Sequence, residues 1–253
     1  MVKAHISRKT AFRNIIYGNR LFLFVICSLF FAVTVYHLWV MPVQQVTTQI
    51  KGIIVIDPGH GGFDGGAIGL TKVREDAINL AISQELQQLF IAEGYQVIMT
   101  RENENAVGKT KDSDMAKRRE IIENSNADVV ISVHCNKYKD PAASGPIVFY
   151  YKGSTKGEKL ASFIQQELNT ELQPPLERTY RPQNYFILRS GKAPCVLVEC
   201  GFLSNKQEEK LLQTSDYQGT FAYAVLKGAI RYLNQRQKSN EDVQPVFTEI
   251  IKP

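Results

Sequence analysis

A chain of 253 residues with 44% apolar and 22% charged residues is long enough for one well-buried globular domain and little more. Its formal charge of +5 comes from the first twenty residues, where Lys3, Arg8, Lys9, Arg13 and Arg20 stand with no acid among them. The other 30 − 5 = 25 basic residues face 25 acidic ones, a balance that gives no support to nucleic-acid binding. Four cysteines, Cys27, Cys135, Cys195 and Cys200, show no CxxC spacing, which argues against a zinc ribbon or a dense disulfide framework.

After the basic segment 1–20, Leu21 to Val43 carries no Asp, Glu, Lys or Arg. That is about the ~20 residues a bilayer-spanning helix needs, and His37 and Trp39 sit near its far end, where amphipathic rings favour the interface. The basic flank predicts an N-terminus kept in the cytoplasm and a membrane-anchored protein whose remainder lies outside it. A cleaved signal peptide is the competing reading, although its apolar region would be only ~7–15 residues. A polar linker, 44–51, follows.

Four β-branched residues, Ile53 to Ile56, predict a buried strand over Gly52–Asp57, closed abruptly by Pro58 and Gly59. A glycine-rich loop leads to a helix over Glu75–Glu93, whose Ile78, Ile82, Leu86 and Phe90 recur at helical spacing. Tyr95–Thr100 reads as a strand, Arg101–Asp112 as an exposed loop and Met115–Glu123 as a short helix. Strands are expected at Asp128–Val133 and Gly145–Tyr151, the second of undecided direction, and then a helix over Glu158–Leu172. Glu177–Gln183 holds Arg178, Tyr180 and Arg181, which could face a ligand. Tyr185–Leu188 and Cys195–Glu199 are further expected strands, Ser215–Leu233 is a closing helix, and 235–253 is a polar tail. The alternation predicts, over 52–234, a three-layer α/β domain with a mixed, largely parallel sheet, preceded by one N-terminal transmembrane helix.

The chemistry-bearing residues sit at strand ends. His60 follows the first strand, His134 the Asp128–Val133 strand and Glu199 the Cys195–Val198 run, and such ends converge in one crevice of an open α/β sheet. His60, Glu75 and His134 form a His₂Glu set of the kind that holds a catalytic Zn²⁺ with one position open. Beyond the membrane segment these two histidines are the only ones in the chain. Glu75 has a structural alternative, since a first-turn Glu is favoured by the helix dipole alone. Asn79 shares its face one turn on and can support it from behind. Glu199 ends an otherwise apolar strand, where a charge is costly unless it is used. It can serve as general base, or it can be tied up in a salt bridge to Arg189. Arg189 itself can hold a substrate carboxylate or make a structural ion pair.

The motifs Asp57-Pro-Gly-His60-Gly-Gly-x-Asp64-Gly-Gly-Ala67, Glu75 with Asn79-Leu80, Ser132-Val-His134-Cys-Asn136 and Leu197-Val-Glu199-Cys-Gly-Phe-Leu-Ser-Asn205 resemble the zinc-dependent N-acetylmuramoyl-L-alanine amidases. The resemblance spans about Gly52 to Leu233. It implies zinc on His60, Glu75 and His134, Glu199 as catalytic acid/base, and hydrolysis of the amide joining N-acetylmuramic acid to L-alanine of the peptidoglycan stem peptide. Asp57 and Asn79 are expected behind the ligands, and Arg189, Asn136 and Arg181 are candidates for holding substrate. A short membrane segment before a bare catalytic domain is similar to the germination-specific, spore-cortex type. That type implies formation of muramic-δ-lactam together with a separate deacetylase, at the forespore intermembrane space. Some members of the family need a protein activator.

Cys135 and Cys200 adjoin His134 and Glu199. A thiolate zinc ligand is conceivable, but alternation along a strand turns them away from their functional neighbours. Two rivals to the amidase reading are a non-catalytic module binding peptidoglycan or a partner, and a zinc peptidase cutting within the stem peptide.

Overall fold

The computed structural model describes residues 22–36 and 50–241. The chain divides into two compact units, Met1–Thr48 and Gln49–Pro253. In the first, residues 22–36 are helical, with apolar side chains such as Phe24, Phe30 and Phe31 exposed. Among the described residues no helix is long and apolar enough to cross a membrane. The rest of the expected 21–43 span, and the linker to Gln49, lie outside the described residues.

The second unit is built on a six-stranded sheet. Its strands are β1 (Ile53–Pro58), β2 (Gln96–Met99), β3 (Val129–Asn136), β4 (Ile147–Tyr151), β5 (Arg181–Gln183) and β6 (Cys195–Phe202). They lie in the order β2-β1-β3-β6-β4-β5. The first four in that order run parallel, β4 is antiparallel to β6, and β5 runs parallel to β4. The sheet is therefore mixed: β4, the strand of undecided direction, reverses against β6, and β5 shares its direction. Five helices accompany it: α1 (Glu75–Ala92), α2 (Lys111–Asn124), α3 (Thr155–Leu172), α4 (Lys206–Leu212) and α5 (Ser215–Glu241).

Alternation along the strands sorts side chains between two layers. Ile54, Ile56, Val129, Ile131, Val133, Val196 and Val198 form one core with the apolar stripes of α1, α3 and α5, including Ile82, Phe90, Ile164 and Phe221. Val55, Val130, Leu197 and Phe149 form the other with Ile122 of α2 and with Ile187 and Leu188. The chain steps from β1 outward to β2, with α1 on one face, and returns past β1 to β3 through α2 on the other. The strand order thus switches direction between β1 and β3, and the crevice beyond their carboxyl ends is where such folds bind ligands.

Three expectations are corrected, and one element is new. Tyr185–Leu188 is not a strand: Ile187–Arg189 is a 3₁₀ turn, because Ile187 and Leu188 are both buried, which consecutive strand residues on a two-faced sheet cannot achieve against one core. The Arg101–Asp112 stretch is not a uniformly exposed loop. Arg101 is only 5% exposed, and α2 already begins at Lys111, where Thr110 makes a reciprocal capping box with Ser113. The expected tail is helical as far as Glu241, its early part held by Arg236 on Asp128 Oδ1 at 2.6 Å. The short helix α4, capped by the Asn205 side chain on the amides of Gln207 and Glu208, was not anticipated.

Candidate active site

Because β1, β3 and β6 are parallel neighbours, their carboxyl ends deliver His60, His134 and Glu199 to one edge of the sheet. His134 pairs in register with Glu199, so their side chains rise from the same face on strands about 4.8 Å apart. The same alternation turns Cys135 and Cys200 into the opposite core, as buried free thiols, and Cys195 is likewise free and buried. Burial pushes all three thiols upward, away from the thiolate a metal would need.

Glu75 enters from the first turn of α1. Its Oε1 lies 3.2 Å from His60 Nε2 and 3.0 Å from His134 Nδ1, and it accepts the Cys135 amide at 3.1 Å; Oε2 accepts the Ala67 amide at 2.7 Å. The two imidazoles meet edge to face, 4.9 Å between ring centres. One ligand atom from each of His60, Glu75 and His134 falls within 4.8 Å of the others, so the expected ligand set is brought together. Burial favours the neutral form of Glu75, but the hydrogen bonds and charges of His134 and His60 outweigh it and hold the carboxyl well below its usual range. Burial also opposes a charged His60, yet Glu75 and Asp64 pull that imidazole up to about 9.

Two groups support this set from behind. Asn79, 0% exposed, donates to Gly59 O at 3.2 Å and to Glu75 Oε1 at 3.3 Å, as its helical spacing implied. Asp64 accepts from His60 Nδ1 at 3.0 Å, a carboxylate on the far ring nitrogen that fixes the orientation of the near one. Asp64 lies in the quoted loop motif, and its carboxylate four residues after His60 was the available signal. Asp57 does not touch the three ligand-type side chains. It is buried against Arg118 at 2.8 Å and accepts from Thr100 and Ser132, so its connection to the site runs through Arg118.

Glu199 lies in the same cleft of about 430 Å³, with Asn136, Lys111 and Lys137 on its walls and Phe63, Tyr185 and Phe186 among its aromatic lining. Its Oε2 is buried without a hydrogen-bond partner, and burial pushes the carboxyl up to about 7, against the pull of His134 and with a push from Glu75. Among the described residues no ion pair joins Glu199 to Arg189. Arg189 is exposed at the end of the 3₁₀ turn and opens on a separate pocket with Arg119, Ile122 and Lys192, beside the amino end of β6. Arg181 lies on the exposed edge strand β5, two strands from Glu199, and Arg178 is spent on Ser144 O. Neither Arg189 nor Arg181 lines the cleft; Asn136 does.

A parallel-sheet exit that gathers two histidines and a carboxylate, beside a buried and unpartnered glutamate in the same cleft, is an α/β arrangement that could hold a metal ion next to a proton-transferring carboxyl, as hydrolytic sites do. The family model for N-acetylmuramoyl-L-alanine amidase matches residues 54–231, and the chain belongs to that family of enzymes. It is 34% identical over 192 residues to the germination-specific N-acetylmuramoyl-L-alanine amidase of Bacillus subtilis, covering 73% of this chain and 81% of that protein. Among solved structures, the CwlD amidase of Clostridioides difficile in complex with the GerS lipoprotein superposes with a TM-score of 0.70 at 36% identity, covering 72% of this chain and 98% of that one. The N-acetylmuramoyl-L-alanine amidase of Clostridium difficile 630 follows at 0.68 and 29%, over 74% of this chain and 98% of that one.

Proposed function

We propose that the chain hydrolyses the amide between N-acetylmuramic acid and L-alanine of the peptidoglycan stem peptide, with one Zn²⁺ held by His60, Glu75 and His134 and with Glu199 as the catalytic acid/base. The observation that carries the reading is the buried, unpartnered Oε2 of Glu199 in the cleft where three ligand-type side chains converge. Two imidazole nitrogens and one carboxylate oxygen are a donor set suited to zinc, and the Asp64 carboxylate behind His60 is the usual support for such a ligand. When bound, the zinc supplies Lewis-acid polarisation of the amide carbonyl and lowers the pKa of the attacking water.

Glu199 does the proton work. Its free oxygen accepts a proton from the water as the water oxygen attacks the lactyl carbonyl, then passes that proton to the amide nitrogen as the C–N bond breaks and L-alanine leaves as an amine. Burial without a hydrogen-bond partner raises this carboxyl from its usual range, which favours both taking up and giving back a proton. Asn136, on the cleft wall, is the retained candidate for holding substrate.

The spore-cortex subtype is the finer part of the reading, supported by likeness to the germination-specific relative over 81% of its length. It entails muramic-δ-lactam formation with a separate deacetylase, a helix over 21–43 anchoring the chain in the membrane, and a catalytic domain (52–234) on the extracytoplasmic side. A protein activator is part of the proposal, supported by the complex of the CwlD relative with a lipoprotein.

Metal analysis tests the assignment: the purified chain should carry one zinc, and His134→Ala should lose it while keeping its circular dichroism. Unchanged zinc content in His134→Ala would move the site elsewhere.

A further inference from the structure

The loop that presents His60 is unusual in its backbone. His60, Gly61 and Gly62 have φ of 63°, 134° and 55°, three successive residues in a region that side chains with a Cβ rarely adopt. His60 is the one among them that has a Cβ. The β1 ladder ends at Ile56 on the β2 side and at Pro58 on the β3 side, and among the described residues the carbonyls of Pro58, Gly59 and His60 have no strand partner. Buried carbonyls need donors.

Two buried guanidiniums supply them. Arg101, just beyond β2, donates through Nε to Pro58 O at 3.0 Å and through Nη2 to Gly59 O at 2.9 Å. Arg118, from α2, donates through Nη1 to Pro58 O at 2.7 Å and through Nη2 to His60 O. Three consecutive carbonyls, Pro58, Gly59 and His60, are thus gripped from two elements that follow the loop in sequence. Arg118 is 2% exposed and is itself fixed by Asp57 at 2.8 Å and Asp114 at 2.6 Å. Among the described residues Arg101 makes no carboxylate pair: its other donors go to Asp76 O at 2.8 Å and Asn103 O at 2.9 Å. A buried guanidinium whose hydrogen bonds all go to backbone carbonyls is costly to desolvate, even with the Asp76, Asp57 and Asp114 carboxylates nearby, and the planar fork that reaches four carbonyls is something lysine cannot reproduce. Nothing in the fold of the sheet requires those bonds; what they fix is the direction in which His60 leaves β1.

We propose that Arg101 and Arg118 are positioning residues for metal binding, a carbonyl cradle that holds His60 in its left-handed conformation with Nε2 turned toward Glu75. The inference rests on the assignment of His60 as a zinc ligand. Neither arginine belongs to the ligand set: Arg101 is absent from the cleft lining, Arg118 reaches the cleft wall, and each acts on His60 through the backbone of its loop.

The test is a double-mutant cycle read as zinc affinity, by competition with a chromophoric chelator, on the full chain in mild detergent. Arg101→Lys is the lead variant because it leaves the Asp57, Asp114 and Arg118 pairs in place. Arg118→Lys is the second, and circular dichroism establishes that each is folded. Arg101→Lys should weaken zinc binding by about 10- to 100-fold, the usual effect of removing support from behind a ligand. In a His60→Ala background the same substitution should change the residual affinity less than twofold, because the residue through which it acts is gone. Equal losses in both backgrounds would mean general loosening and would overturn the cradle, as would wild-type affinity in Arg101→Lys. If His60→Ala alone binds zinc as tightly as the wild type, the ligand assignment fails and the cradle with it. If His60→Ala is weakened and Arg101→Lys is not, only the cradle fails.

Discussion

Gly59 gives the sharpest steric prediction for the site. Its φ is not in the left-handed region, so alanine there meets no backbone objection. The obstacle is His134: a Cβ at position 59 would lie 2.3 Å from Cε1 of that imidazole and 2.4 Å from Nε2. Ordinary contact begins at 3.4 Å, so the ring must retreat by 3.4 − 2.3 = 1.1 Å. The His134 side chain is 20% exposed toward the cleft and can swing away, which keeps the stability loss of Gly59→Ala small. A displacement of about 1 Å in a reacting constellation costs on the order of 100-fold in rate. Gly59→Ala should therefore melt within a few degrees of the wild type but lose about 100-fold in kcat/KM, measured by release of free amines from purified peptidoglycan, with weakened zinc retention. Activity within threefold of wild type in a folded Gly59→Ala variant would refute the placement of His134 at the reacting centre.

Glu199→Gln should keep its zinc and lose about 10²–10⁴-fold in kcat, the range for removal of a positioned general base; substantial residual turnover would take Glu199 out of that role. Asp57 carries a pH prediction. Burial raises its carboxyl, but Arg118 and the hydroxyls of Thr100 and Ser132 more than reverse this, so its folded pKa lies below 3.8. A depressed carboxylate contributes stability that is present above the unfolded pKa and is lost as pH falls through the folded one. Asp57→Asn should cost about 3 kcal/mol in urea unfolding at pH 7, as expected for breaking a buried ion pair, and the gap to wild type should shrink below pH 4. An equal gap at both pH values would contradict the ion-pair assignment. Arg181→Ala and Arg189→Ala should each leave kcat/KM within twofold, since neither side chain lines the cleft; a tenfold loss in either would return it to substrate binding.

Much of the architecture was legible because the parallel strands are apolar runs ending at chemistry-bearing residues. Ile53–Ile56, Val129–Val133 and Cys195–Val198 announce themselves by composition, and His60, His134 and Glu199 stand directly at or just past their ends. Opposed orientation of Cys135 and His134 followed from the two-residue strand period alone. What composition does not encode is which polar residues fold back inward. Arg101 and Arg118 look like solvent-facing charges in a polar loop and a polar helix, yet both are buried, because unpaired carbonyls of the His60 loop and the carboxylates of Asp57 and Asp114 await them. Arg189 was misplaced for a related reason. It was expected near the crevice, whereas the 3₁₀ turn spends Ile187 and Leu188 on the α2-side core and leaves Arg189 outside the cleft.

The measurement that reaches the amidase reading most directly is mass spectrometry of purified peptidoglycan after incubation with the zinc-loaded chain. Release of intact stem peptides with a free L-alanine amine, leaving unsubstituted muramic acid on the glycan, is the expected result. Release of shorter peptides with L-alanine still attached to muramic acid would contradict it and make the enzyme a peptidase of the stem.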